Sequence, residues 1–212
     1  MEATIIKLMQ KTFAEKEAEN FLEKENFNVL KREFSKNKEE LKNIIKKINF
    51  PWAMKISSKK IIHKKKVGGV IINIKNLNEA QIAFEKLSKI ENFEQVIIQP
   101  MIKGEEFIVG LKKTPEFNIV IMLGAGGSSV EEKKDVSFRV CPIKEKDAEE
   151  MIEELKIYGS IEKKVNRELL KNIILKISRL AEKCQNIKEL DINPLMINKK
   201  EAFVVDARIS FE

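Results

Sequence analysis

The chain is poor in the residues that most often announce a chemistry: one histidine, one tyrosine, one tryptophan and two cysteines among 212 residues. Cys141 and Cys184 stand far apart with no paired spacing, so neither a metal knuckle nor a disulfide framework is indicated. Both are expected to be reduced packing residues. No apolar run approaches the roughly 18 residues that a membrane span needs. The start, Met1-Glu2-Ala3-Thr4-Ile5-Ile6-Lys7, has no charged-then-apolar leader. The expectation is a cytoplasmic protein with no membrane association. Few glycines and prolines, eight and five, go with heavy use of Lys, Glu and Ile, a balance resembling proteins built for high temperature.

What is present is a globular composition. With 43% hydrophobic residues the chain can bury a proper core, and its length fits one domain or two small lobes. Forty basic residues against 33 acidic ones give a net charge of +7, but the two signs interleave along most of the chain. The main basic cluster, Lys59-Lys60 and Lys64-Lys65-Lys66 around His63, favours phosphate-bearing partners. It lacks the interleaved aromatics of single-strand binders, which argues against nucleic acid.

Helical and strand patterns alternate without a long linker or an internal repeat. Helices are expected at 8–25, 37–48, 78–90, 145–157 and 166–184, and short strands at 27–34, 52–56, 67–74, 95–102, 106–112, 118–123 and 136–140. Turn signals stand at Lys103-Gly104 and Thr114-Pro115-Glu116. The chain closes with strands at 190–197 and 202–209, expected to form a hairpin around Asn198-Lys199-Lys200. This order predicts an α+β fold with antiparallel sheets.

Four features carry possible chemistry. His63 lies between a polar turn and an expected strand, where a neutral imidazole can accept and pass on a phosphoryl group; a plain surface or packing histidine is the alternative. In Glu189-Leu190-Asp191-Ile192-Asn193 the strand period sends Asp191 and Asn193 to one face and Leu190 and Ile192 to the core. With Asp206, which interrupts an apolar strand, they make a hard-oxygen set suited to Mg²⁺ on nucleotide phosphates. The alternative is polar residues closing a hairpin and pairing with Arg208. Gly124-Ala125-Gly126-Gly127 follows an apolar strand and could offer N–H groups to phosphate, although it is neither a Walker loop nor a dinucleotide fingerprint. Lys55, alone among apolar strand residues, could reach phosphates or simply sit at an exposed position.

In this order the pieces resemble the ATP-grasp subunit of ADP-forming acyl-CoA synthetases, typified by the β subunit of ADP-forming acetyl-CoA synthetase. The matching stretches are Ala53-Met54-Lys55-Ile56-Ser57, Ile61-Ile62-His63-Lys64 with Val67-Gly68-Gly69-Val70, and Ile98-Gln99 through Glu106-Phe107-Ile108-Val109-Gly110. They continue through Gly124 to Gly127, Lys134-Asp135-Val136-Ser137-Phe138-Arg139, Glu189 to Leu195 and Asp206-Ala207-Arg208.

The resemblance implies an ATP-grasp fold with nucleotide between two α+β lobes, placed here at 1–102 and 103–212. It implies that Lys55 contacts phosphates, that Gln99 to Met101 pass the adenine, and that Glu106 binds ribose or purine groups. Gly126 and Gly127 would lie against phosphate. Asn193 and Asp206 match Mg²⁺ ligands, with Asp191 at the accompanying acidic position. His63 matches the histidine that accepts a phosphoryl group. The implied reaction is acyl-CoA + ADP + phosphate to acid + ATP + CoA, reversibly, shared with a CoA-binding α subunit in a hetero-oligomer. Asp135 or Glu131 is a candidate to orient the imidazole.

The chain departs from the family pattern in four places. Lys65 and Lys66 follow His63-Lys64 where a small polar residue and an acid are usual, and Pro100 replaces a glutamate in the adenine segment. Tyr158-Gly159-Ser160-Ile161-Glu162 replaces a glycine-arginine loop, and Ser128-Ser129 a bulkier apolar pair. These keep open a nucleotide-binding paralogue without turnover, with a regulatory role. Net charge alone would support a basic scaffold.

Overall fold

The computed structural model describes residues 12–13, 15–58, 60–61, 64–127 and 135–212. Along the chain its elements are β1 (Thr12–Phe13), α1 (Glu15–Lys24), β2 (Glu33–Ser35), α2 (Leu41–Ile44), β3 (Trp52–Ser57), β4 (Val70–Ile74), α3 (Leu77–Ser88) and β5 (Gln95–Pro100). Then come β6 (Glu105–Thr114), β7 (Asn118–Ala125), β8 (Val136–Val140), α4 (Glu145–Glu153), α5 (Tyr158–Ile161), α6 (Arg167–Lys183), β9 (Ile187–Ile197), β10 (Ala202–Val204) and β11 (Ala207–Phe211). Among the described residues no helix is long and apolar enough to cross a membrane.

The chain forms two compact units. Among the described residues, those of Leu30–Ile102 make the small one, and those up to Val29 join those of Lys103–Glu212 in the large one. This differs from lobes at 1–102 and 103–212. The reason is pairing: Thr12 and Phe13 lie opposite Ser210 and Ile209, and Val29 forms a parallel bridge with Val204.

The large unit is a sheet in the order β1-β11-β9-β6-β7-β8, with β10 added to the end of β9. Every neighbouring pair is antiparallel. Alternation sends Phe107, Val109 and Leu111 of β6, and Leu190 and Ile192 of β9, into one buried cluster with residues of α1, α4 and α6. On α6 the buried residues Leu170, Ile174, Ile177 and Ala181 recur at helical spacing. Asn166 caps its start by accepting from the Leu169 amide at 3.2 Å.

The small unit is a four-stranded antiparallel sheet, β2-β5-β3-β4. Trp52, Met54, Val96 and Ile98 on one face pack with Ala80, Ala83, Phe84 and Leu87 of α3 and with Leu41 and Ile44 of α2. Asn76 caps α3 by accepting from the Glu79 amide at 2.9 Å, and Glu79 reaches back to the Lys75 amide at 2.8 Å.

Several expected elements are shorter or split. Of the helix expected at 8–25, Glu15–Lys24 is helix and Thr12–Phe13 is strand, while residues 8–11 and 14 lie outside the described residues. The strand expected at 27–34 is divided between the units. The helix expected at 37–48 narrows to Leu41–Ile44, preceded by a turn in which Asn37 accepts from the Glu40 amide and Glu40 from the Lys36 amide, both at 3.1 Å. The helix expected at 145–157 stops at Glu153. Beyond it the buried Asp135 carboxylate accepts from the amides of Lys156 and Ile157 at 2.8 and 3.0 Å. Cys141 and Cys184 are free and half-buried, and burial pushes both thiols up.

Candidate nucleotide and metal site

The two closing strands do not form one simple hairpin. β10 and β11 both pair with β9, at Leu195–Ile197 and Ile187–Ile192 respectively. Between them lies an interruption at Val205-Asp206. It is stitched by the Asn193 amide donating to the Asp206 carbonyl at 3.0 Å and the Val205 amide donating to the Pro194 carbonyl at 3.1 Å. β9 has an extra residue here, since Ile192 and Leu195 face Val109 and Phe107 of β6. Such a bulge re-aims side chains. Leu190 and Ile192 go to the core before it, Leu195 and Ile197 after it, while Asp191 and Asn193 stay half-buried on the other face.

That other face has a defined row. Phe138, Met122, Gly110, Asp191 and Arg208 stand in direct register across β8, β7, β6, β9 and β11. Burial pushes the Asp191 carboxyl up, and the Asp206 charge adds to it, while Arg208 pulls the other way. Both readings of this corner therefore have a physical basis: Arg208 neighbours Asp191, and two carboxylates still crowd one place. Among the described residues no group of three His, Cys, Asp or Glu side chains forms a metal cage. The donors here are two carboxylates and one amide, a set that leaves coordination positions to phosphate and water, as Mg²⁺ prefers.

Glu106 is exposed on β6 opposite Met196. Its carbonyl accepts from the Gly126 amide at 2.7 Å. A Cβ at Gly126 would stand 2.7 Å from the Glu106 Cβ, so the glycine permits close approach and its N–H is already used. Gly127 has a φ of +97°, a left-handed conformation suited to glycine.

In the small unit, Lys55 and Gln99 are both buried. They lie on the sheet face opposite Trp52 and Met54, with Lys55 between Val70 and Ile97 and Gln99 beside Ala53. This corrects the exposed alternative for Lys55. Met101 gives its amide to the Pro51 carbonyl at 2.8 Å. What it offers a ligand is a side chain 37% exposed. That hydrogen bond makes Trp52–Pro100 a non-hydrogen-bonded pair, so the N–H that proline lacks is not missed by β3.

His63, Glu131 and Ser128-Ser129 lie outside the described residues. The flanks of His63 are well held. The Lys60 amide donates to Ser58 Oγ at 3.2 Å and Ser58 Oγ to Glu94 at 3.1 Å. After it, the Gly69 amide donates to the Lys64 carbonyl, and the Ile56 amide to the Gly69 carbonyl, both at 2.8 Å. Asp135, a sequence candidate for orienting the imidazole, has both oxygens on the Lys156 and Ile157 amides instead. Sequence reasoning missed that role because the partners are distant in the chain.

Residues 4–211 match the family model for the ATP-grasp domain. The chain is 41% identical over 216 residues to the beta subunit of Acetate–CoA ligase [ADP-forming] I of Pyrococcus furiosus, covering 96% of this chain and 93% of that one. It is 39% identical over 200 residues to Acetate–CoA ligase [ADP-forming] II of Archaeoglobus fulgidus, covering 92% of this chain but only 30% of that longer one. Its structure superposes with a TM-score of 0.86 and 34% identity on the dinucleotide-forming acetyl-coenzyme A synthetase 1 of Ca. Korarchaeum cryptofilum in complex with coenzyme A, Ca-AMPCP and HgCl⁺, over 95% of this chain and 94% of that one. The family model and the relatives agree: the chain belongs to the ATP-grasp family, within the group of ADP-forming acetate–CoA ligase beta subunits.

Proposed function

We propose that the chain is the ATP-grasp subunit of an ADP-forming acyl-CoA synthetase, working in the cytoplasm with a CoA-binding α subunit as a hetero-oligomer. Its part is to move a phosphoryl group between His63 and an adenine nucleotide, in the reversible reaction acyl-CoA + ADP + phosphate to acid + ATP + CoA. Phosphate displaces CoA from the acyl group on the α subunit. The phosphoryl group then leaves the acid for a histidine of the α subunit, passes from that imidazole nitrogen to His63, and finally leaves His63 for ADP. Two free cysteines fit a reducing compartment.

The observation that carries this reading is the corner where Asp191, Asn193 and Asp206 meet at the interruption between β10 and β11. Burial first, and then the charge of Asp206, raise the Asp191 carboxyl against the pull of Arg208, so two acids share this place. Asn193 and Asp206 would hold Mg²⁺, with Asp191 beside them; when bound, the ion neutralises phosphate charge. Glu106, on the same sheet, binds ribose or purine. Gly127 is the better of the two glycines for phosphate, since the Gly126 amide is engaged. Lys55 contributes positive charge to phosphate, and Gln99 and Met101 bound the adenine. Phosphoryl transfer asks mainly for placement and charge neutralisation, which this set supplies without a covalent apparatus beyond His63.

The test is incubation of the purified chain with γ-labelled ATP and Mg²⁺, comparing wild type with His63→Ala. Acid-labile, base-stable label that disappears in the variant is expected. Nucleotide binding without any label, even when a CoA-binding α subunit is supplied, would sink the catalytic reading in favour of a paralogue without turnover.

A further inference from the structure

The exposed large apolar side chains of the large unit, among the described residues, are Phe117 and three residues of one strand: Val136, Phe138 and Val140, exposed by 39%, 52% and 49%. Among the described residues that strand, β8, ends the large sheet and pairs only with β7. The hydrogen bonds say which backbone groups remain. The Ala125 amide donates to the Asp135 carbonyl, and the Cys141 amide to the Ile119 carbonyl. Gly124–Val136 and Val120–Val140 are therefore non-hydrogen-bonded pairs, and alternation makes Met122–Phe138 a third. Ser137 and Arg139 turn their N–H and C=O groups to β7. Val136, Phe138 and Val140 turn theirs outward, and these same residues carry the apolar stripe. An edge of this kind is a template for another strand, and a contiguous apolar patch marks an interaction surface.

The strand itself selects the occupant. Val136-Ser137-Phe138-Arg139-Val140 is close to symmetric about Phe138. We propose that β8 pairs antiparallel with β8 of a second copy of this chain about a two-fold axis at Phe138, so that one sheet runs through two large units. In that register Phe138 meets the partner's Phe138, and Val136 meets the partner's Val140. The outward backbone groups then meet as hydrogen-bonded pairs. On the reverse face Ser137 meets the partner's Arg139. The Ser137 hydroxyl donates to Glu154, and Arg139 bonds Glu154 at 2.6 Å and Glu150 at 3.3 Å, so each guanidinium arrives at an acidic group and charge matches across the axis. Arg139 also donates to the Phe138 carbonyl at 2.9 Å, which retains a second lone pair for the partner's amide. A five-residue edge is small beside the roughly 800 Å² per partner of a standard interface. Association in the micromolar range follows, and not a permanent dimer.

Sedimentation equilibrium of the full chain across the micromolar range tests this. Wild type is expected to rise toward twice the chain mass. Phe138→Glu, which sets two carboxylates at the axis, and Val140→Pro, which removes an outward N–H and nothing from the β7 ladder, are expected to stay monomeric with unchanged melting temperatures. A wild type that stays monomeric throughout, or a dimer that survives both substitutions, overturns the proposal. So does a monomeric wild type whose Phe138→Glu variant fails to assemble with a CoA-binding α subunit, since the edge then belongs to that partner. Should either variant unfold, amide exchange at Val136, Phe138 and Val140 in the wild type gives the same answer: exchange that slows with concentration supports pairing, and exchange independent of concentration overturns it.

Discussion

Both units are antiparallel sheets with helices against one face, yet their other faces differ in kind. The large unit presents oxygen donors there: Asp191 and Asn193 on β9, with Asp206 at the break beside them and Glu106 on β6. The small unit presents a buried lysine and a buried amide, Lys55 and Gln99. One face suits a cation and the other suits an anion. The difference teaches that each unit's own core positions groups of a different charge character.

The cores also differ. Trp52 anchors the small one: it is fully buried, its ring stacks on Phe50 at 4.1 Å, and its Nε1 donates to the Ile48 carbonyl at 3.1 Å. Trp52→Ala is expected to cost about 3–5 kcal/mol and to open the small unit while amides of the large one stay protected, because the two buried clusters share no residue. Hydrogen exchange read segment by segment checks it. Equal loss of protection in both units would break the comparison, showing a single cooperative body.

The chemistry of the two faces should separate as well. Asn193→Ala and Asp206→Ala are expected to weaken Mg²⁺-dependent ATP binding by at least about tenfold. Lys55→Ala should weaken binding at every Mg²⁺ concentration and leave its dependence on the metal intact. Calorimetric titration at graded Mg²⁺ distinguishes them. A Lys55→Ala variant that has lost its metal dependence would erase the distinction.

Long alternating segments made β6 and β7 legible in the sequence, and the period of two also put Asp191 and Asn193 on one face and flagged Asp206 as an interruption. What stayed hidden was non-local. Residues 27–34 carry uniform strand character, so nothing in them marks that Val29 bonds in one unit and Phe34 in the other. Gly126 looked like a phosphate loop because a glycine needed for close approach to Glu106 is indistinguishable, in sequence, from one that exposes its amide. Asp135 is the same lesson with a different residue. Its two acceptor bonds to Lys156 and Ile157 end a helical pattern that sequence alone would continue. Asp135→Asn is expected to destabilise the large unit by about 1–3 kcal/mol, measured by urea unfolding, while the small unit keeps its midpoint.

The smallest effect concerns the edge of the large sheet. Hydrogen bonding from Arg139, and then from Ser137, holds the Glu154 carboxyl below its ordinary range. A carboxyl depressed by folding adds stability above its unfolded pKa of about 4.3, and that contribution is lost as pH falls through the folded value. The stability difference between wild type and Glu154→Gln should therefore be full at neutral pH, shrink below about 4.3, and vanish in stronger acid. Glu154 is half exposed, so solvent screening keeps the pair near roughly 0.2–1 kcal/mol, less at high salt. No comparable dependence is expected for a substitution of the uncharged Gln99 in the small unit. Urea unfolding of both proteins at neutral and acid pH reads the difference directly. If it is the same at every pH, charge is not its source, and Arg139 holds the rim of β8 through hydrogen-bond geometry that a neutral glutamine cannot reproduce.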